Sequence, residues 1–188
     1  MIYISVGSNC SVSFWLNKLG LRKIAYPFDW ASLTIKHLNM ILGKDFADYE
    51  ESLKLKFISD KHPDKDGNPS ALITNIYNVK FAHEVITSDI ENFKLSLNNR
   101  VGRFRELDKE EFITYVRIEL QIVKTSYIKE LQELIKLLDL VNPNYIIQLI
   151  IHKDSIKITL DKVKIYYFDE FSPDWKMEHI DWKSILTN

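Results

Sequence analysis

The sequence is poor in cysteine, since Cys10 is the only one among its 188 residues. A lone thiol excludes an internal disulfide framework and any zinc site that is built from several cysteines. No apolar run reaches the roughly 18 residues that a membrane-spanning helix requires. The N-terminal stretch MIYISVGSNC also lacks the basic region of a signal peptide. We therefore expect a cytoplasmic protein without a membrane partner.

A surplus of charge of either sign is also missing, because the formal net charge is -1 at pH 7. Such a balance gives no indication of nucleic acid as a partner. A hydrophobic fraction of 46% and a charged fraction of 27% are typical of a soluble globular protein. The polar loop around His62, Asp64 and Asp66 lacks the downstream glutamate of a calcium loop. With no internal repeat and no linker, residues 1–188 are expected to form one domain without metal or cofactor.

The spacing of apolar residues alternates between strand-like and helical patterns. It predicts strands at 2–6, 71–79, 111–118 and 145–151, and one or two more at 156–160 and 163–168. It predicts helices at 11–19, 35–42, 90–104, 127–141 and within 174–182. This alternation favours a three-layer α/β fold, in which helices cover both faces of a largely parallel central sheet. Ligands bind such sheets at the carboxyl ends of the strands, where the strand order reverses. Cys10 is expected at that edge.

The turn Gly7-Ser8-Asn9 connects the first predicted strand to the first predicted helix, which places Cys10 at a helix N-terminus. The helix dipole and the free N–H groups of a first turn favour a thiolate, and they also bind an oxyanion or a phosphate. Cys10 is therefore a candidate nucleophile in a candidate substrate-binding loop. The alternative is a buried cysteine that only packs, since free cysteine is among the most buried residue types.

Several charged residues are candidates for binding an anionic substrate. Arg22, Arg103 and Arg117 supply guanidinium groups, which suit phosphates and carboxylates. Arg117 lies inside an apolar strand-like run, so it either pairs with a carboxylate such as that of Glu119 or faces a polar cleft. A helical pattern follows Asp29, and either Asp29 or Ser32 is a candidate for the N-cap of that helix.

Five phrases of the sequence together resemble one known family. They are GSNCSV at 7–12, YPFDW at 26–30, FAHE at 81–84, RVGRF at 100–104 and YVR at 115–117. The chain resembles, over about residues 1–155, a family of bacterial and viral proteins of unknown function that is described as "putative papain-like cysteine peptidases". A papain fold combines a helical half with an antiparallel barrel, whereas the alternation here favours the α/β fold, and we expect the latter.

The resemblance implies a catalytic arrangement. It makes Cys10 the nucleophile and His83 the base, and it makes Asp29, within the PFDW phrase, a candidate for the acid that orients the base. Glu84 stands where the family often has aspartate, so the third member is Asp29, Glu84 or none. A thiolate formed in this way attacks an acyl carbon, and helix N–H groups hold the oxyanion.

Three classes of function remain open from the sequence. The first is a cysteine-dependent hydrolase or acyl transferase that acts on a peptide, an ester or a glycan-linked group. The second is a glycan- or nucleotide-sugar-processing transferase, in which the 7–10 loop binds phosphate and the arginines clamp it. The third is a non-catalytic interaction domain. Ser8 is a second candidate nucleophile, and His179 is a candidate base for Ser8 or Cys10.

Overall fold

A computed structural model describes residues 1–59, 70–81, 90–172 and 174–187 of the chain. Within them the strands are β1 (Ile2–Ser5), β2 (Ala31–Ser32), β3 (Lys54–Ser59), β4 (Ser70–Thr74), β5 (Lys80–Phe81), β6 (Ile113–Ile118), β7 (Tyr145–His152) and β8 (Val163–Phe168). The helices are α1 (Cys10–Lys18), α2 (Ile35–Gly43), α3 (Ile90–Arg105), α4 (Ser126–Val141) and α5 (Trp182–Thr187).

The larger architectural unit is a four-stranded parallel sheet with the strand order β1-β6-β7-β8. The run Tyr145–His152 is apolar and almost entirely buried, as is usual for an inner strand that is covered on both faces. The parallel sheet within a mixed α/β fold was predicted and is confirmed. The described strand order runs in one direction, so the predicted reversal of the order is absent from these four strands. Cys10 instead follows β1, which lies at the edge of the sheet.

A second, antiparallel sheet has the order β2-β5-β4-β3. This sheet was not predicted, because β2 and β5 contain two residues each and pair over a long sequence separation. The predicted extended segment at 71–79 ends early, since β4 stops at Thr74. There the side chain of Asn75 accepts hydrogen bonds from the backbone N–H groups of Tyr77 and Val79, which turns the chain.

The side chains of β6 alternate between two hydrophobic clusters. Ile113 and Tyr115 belong to the larger cluster, to which α2, α3 and α4 contribute, whereas Val116 and Ile118 belong to a smaller one with α1 and α5. This alternation is the period-two pattern of a strand. The three-layer arrangement as a whole stays a prediction.

The ends of the helices follow from local chemistry, with one correction. Gly20, at φ +70°, follows Leu19, the C-cap of α1. The N-cap of α2 is Thr34, whose Oγ1 accepts from His37 N–H at 3.2 Å. The prediction that Asp29 caps α2 is therefore wrong, because the helix begins only at Ile35.

The predicted strand at 156–160 is also wrong. This segment is an irregular connection from β7 to β8, in which Ile156 N–H donates to Val123 O. Ile158 is buried there without a strand ladder, so its apolar character reflects packing under a loop.

Candidate functional site

The turn after β1 has an unusual backbone, with two consecutive residues in the left-handed region. Gly7 and Ser8 adopt φ values of +75° and +80°. A Cβ atom on Gly7 would lie 1.9 Å from Leu33 Cδ2, so this position requires glycine for space as well as for conformation. Asn9 then caps α1, because its Oδ1 accepts from Ser11 N–H at 3.2 Å. The predicted turn and helix start are thereby explained, with Cys10 as the first helical residue.

The thiol of Cys10 is buried between this turn and Trp30, which directly precedes β2. Its Sγ lies 3.4 Å from Trp30 O, to which it donates, and the residue is 6% exposed. Burial raises the pKa of the Cys10 thiol to about 12, and the hydrogen bond from the backbone N–H of Cys10 itself lowers it by less. The expected effect of the helix N-terminus is thus outweighed by desolvation. With these contacts the thiol is protonated at neutral pH.

His83 lies outside the described residues, so its predicted contact with Cys10 is untested. The chain that leads to it is described as far as Phe81. Phe81 pairs with Ala31 in the antiparallel sheet, and Ala31 directly follows Trp30, the hydrogen-bond partner of the thiol. The last described residue before His83 is therefore on the strand next to the segment that holds Cys10. Glu84 also lies outside the described residues.

Asp29 is buried in the turn before β2, where it is 1% exposed. Its Oδ2 accepts from Tyr26 N–H at 2.9 Å and from Arg22 at 3.4 Å, and its Oδ1 accepts from Ser13 at 3.2 Å. Burial raises the pKa of the Asp29 carboxyl, and these hydrogen bonds and the charge of Arg22 oppose that rise. The contacts give Asp29 a structural role, since they fix the turn to α1. Whether it also orients a histidine stays a prediction.

The three candidate arginines bind internal partners and do not converge on one point. Arg22 donates to Asp29 and to Asn17 Oδ1, and Arg103 donates twice to the carbonyl of Ala25, at 2.8 and 3.1 Å. Arg117 is 0% exposed. The geometry therefore does not favour a phosphate clamp that is made of these arginines.

Arg117 instead joins three parts of the site wall. Its Nε donates to Glu119 Oε1 at 2.6 Å, which confirms the structural-pair alternative. Its Nη1 donates to Val6 O at 2.8 Å and its Nη2 to Leu33 O at 3.1 Å. Burial alone would lower the pKa of Arg117, but attraction to Glu119 and Tyr127 raises it, so the guanidinium stays charged. Arg117 thus ties the end of β1 and the start of α2 to β6.

A polar cleft of about 550 Å³ opens at the carboxyl ends of β1 and β6. Its polar walls include Ser8, Ser32, Thr34, Asn78, Lys80 and Glu119, and the rest of the lining is formed by His37, Gln121 and the apolar Leu33 and Leu120. Ser32 Oγ donates to Ser8 O at 3.0 Å, and Ser8 Oγ lies 3.5 Å from Glu119 Oε2. The sequence analysis identified only Ser8 as a binding residue. Lys80 and Asn78 could not be found, because they reach the cleft through the pairing of β5 with β2.

The alternative pair of Ser8 and His179 has no direct contact in the structure. The ring nitrogen Nε2 of His179 lies 2.7 Å from Glu170 O, and His179 lines a different cavity of about 430 Å³ beside β8.

In the described part of the chain, no three histidine, cysteine or acidic side chains come together in a way that could hold a metal ion. Nor does any described helix have the length and hydropathy needed to cross a membrane.

The fold and the site define a mixed α/β protein whose lone cysteine begins the helix after the first strand of a parallel sheet. The sequence model of one family, described as "Putative papain-like cysteine peptidase (DUF1796)", matches residues 1–155. The chain belongs to this family, as the resemblance of its motifs predicted.

A curated relative is similar over the whole chain. It is an uncharacterised protein of Acanthamoeba polyphaga mimivirus, 29% identical over an alignment of 218 positions that covers 100% of this chain and 97% of the relative. No solved structure matches the chain.

Proposed function

We propose that the protein is a cysteine-dependent hydrolase or acyl transferase, in which Cys10 is the nucleophile and His83 is the general base. The observation that carries the proposal is the pairing of Phe81 with Ala31, next to the backbone carbonyl that holds the Cys10 thiol. His83 is two positions after Phe81 in the sequence, and two extended residues span about 7 Å. This short separation supports the proposal that the imidazole of His83 contacts the sulfur.

The burial of the thiol makes a base necessary. A pKa of about 12 leaves about one thiolate in 10⁵ molecules at pH 7, which is too few for useful chemistry. An imidazole that takes the thiol proton forms a thiolate–imidazolium pair, whose mutual attraction offsets the cost of burial. In this proposal the Cys10 thiol is therefore unreactive at neutral pH without His83 and becomes nucleophilic when His83 takes its proton.

The chemical step follows from this pair. The thiolate attacks the acyl carbon of a peptide, an ester or a glycan-linked acyl group, and the first N–H groups of α1 stabilise the oxyanion. His83 then donates its proton to the leaving group, and water or another acceptor releases the acyl group. In this proposal Asp29 or Glu84 fixes the tautomer of His83.

The pH dependence of Cys10 alkylation by iodoacetamide tests the pair. Because the chain has one cysteine, every alkylated molecule is modified at Cys10. The wild-type thiol is expected to react at neutral pH, with an apparent pKa below the value of about 8.5 for free cysteine. His83→Gln is expected to slow the reaction at pH 7 by about 100-fold or more.

His179→Gln is the matched control, because it makes the same substitution at a histidine that contacts Glu170 instead. It is expected to leave the profile unchanged. Circular dichroism of both variants verifies the fold. If His83→Gln and wild type share one pH profile, His83 is not the base, and Cys10 is a packing residue.

A further inference from the structure

The polar cleft lies next to the nucleophile but is a separate feature. Ser8, in its wall, is two residues from Cys10, and Ser32 is two residues from Trp30, whose carbonyl accepts from the thiol. The backbone from Ser8 to Cys10 and the backbone from Trp30 to Ser32 each advance by two residues, which span at most about 7 Å. A molecule whose acyl carbon reaches Cys10 can therefore extend into this cleft.

The charges of the lining residues are unequal. Among the described residues that line the cleft, Glu119 is the acidic one, and it is neutralised by direct contact with Arg117 at 2.6 Å. Lys80 is the lysine among these lining residues. It is exposed, and its backbone pairs with that of Ser32 on the adjacent strand β2. The local charge of the cleft is therefore positive, although the whole chain is nearly neutral.

The remaining polar groups supply hydrogen-bond donors. Thr34 Oγ1 accepts the cap hydrogen bond from His37 N–H, which leaves the hydroxyl proton of Thr34 for another acceptor. The hydrogen bond from Ser8 to Glu119 is long, at 3.5 Å, so this hydroxyl can turn toward a ligand. The amides of Asn78 and Gln121 also line the cleft. One cation that is surrounded by hydroxyl and amide donors suits an oxyanion.

From this charge and this set of donors we propose that the cleft is a substrate subsite for an oxyanion, either a carboxylate or a phosphate, with Lys80 as its counter-ion. The role of the cleft as a substrate subsite rests on the proposed function, whereas its binding of an anion does not depend on that function. The walls are preorganised for this role. Arg117 binds Val6 O and Leu33 O, which fixes two sides of the cleft before a ligand arrives.

Titration of the ¹⁵N-labelled full chain by NMR at low ionic strength tests the inference. The probes are inorganic phosphate, acetate, and acetamide as a neutral molecule of the same size as acetate. The background is Cys10→Ser, so that no thiol chemistry takes part. Saturable shifts at Ser8, Ser32 and Asn78 are expected with phosphate or acetate, and comparison of these two probes identifies the preferred oxyanion. Acetamide is expected to cause none.

Lys80→Gln is expected to weaken the binding of the preferred anion at least fivefold, because a nearby unit charge is lost. Lys109→Gln is the control, since Lys109 precedes β6 and lies at the opposite end of the parallel sheet. It is expected to leave binding unchanged. Binding that survives Lys80→Gln, or equal binding of acetamide, would overturn the inference. Because the titration contains no thiol, this failure is distinct from a failure of Cys10 labelling.

Discussion

Replacement of Arg117 by methionine is the perturbation that tests the architecture of the site most severely. The guanidinium is fully buried and donates to Glu119, Val6 O and Leu33 O at 2.6, 2.8 and 3.1 Å. Methionine fills a similar volume but leaves two buried carbonyls without these donors and leaves the Glu119 carboxylate without its cation. Removing one partner of a buried ion pair costs about 3–5 kcal/mol. We expect a loss of that size in the free energy of unfolding.

Urea denaturation that is followed by tryptophan fluorescence measures this loss, and the four tryptophans provide the signal. Arg105→Met is the matched control, because Arg105 is 46% exposed and its ion pair with Asp45 lies at the surface. It is expected to cost about 1 kcal/mol or less.

A second variant distinguishes the contribution of the ion pair to stability from that of side-chain packing. Glu119→Gln in the Arg117→Met background is expected to cost less than the sum of the two single changes, since the unpaired carboxylate is gone. A loss under about 1 kcal/mol for Arg117→Met would refute the reasoning, because such a loss is typical of an exposed pair.

Three further predictions follow from the backbone and burial of the site. Gly7→Ala is expected to destabilise the fold by about 2–4 kcal/mol, because a left-handed φ and overlap with Leu33 add together. Gly20→Ala, with φ +70° but no atom within 4 Å, is expected to cost only about 1 kcal/mol. Thr34→Ala is expected to cost about 1 kcal/mol through the lost N-cap of α2. Asp29→Asn is expected to gain stability relative to wild type as pH rises from about 4, where an ordinary aspartate ionises.

The sign of the Asp29 prediction follows from linkage. Burial raises the pKa of this carboxyl, so between its unfolded and folded pKa values the native state binds more protons than the unfolded state. Wild-type stability therefore falls as pH rises through this window, whereas an amide does not titrate. Urea midpoints between pH 4 and 7 measure the difference. The opposite slope would mean that Arg22 outweighs burial.

The other two predictions also have outcomes that contradict them. Equal losses for Gly7→Ala and Gly20→Ala, measured by urea denaturation, would show that Leu33 moves away freely. No loss for Thr34→Ala would show that water replaces the cap of α2.

Local chemistry made part of the fold predictable. The helices predicted at 11–19 and 35–42 are α1 and α2, with Gly20 and Gly43 near their C-terminal ends, and the apolar run at 145–151 is the inner strand β7. Each of these signals lies within a few residues of its effect. The placement of Cys10 at the start of α1 follows in the same way from the turn residues before it.

Long-range pairing made the rest unpredictable. The strands β2 and β5 are too short to carry a pattern, and they form only because residues about 50 positions apart meet, as Ala31 and Phe81 do. Asp29 resembled a helix cap, yet its carboxylate binds Ser13 and Arg22 across a buried turn. The raised pKa of Cys10 likewise depends on burial, which the helix position alone does not reveal.

The most direct test of the central claim is the distance from Cys10 Sγ to the ring nitrogens of His83, measured by crystallography. For the proposed thiol–imidazole pair we expect about 3–4 Å, with a carboxylate of Asp29 or Glu84 behind the ring. A separation well beyond about 8 Å, too long for proton transfer even through one water, would contradict it. Cys10 would then be a buried residue that packs against Trp30.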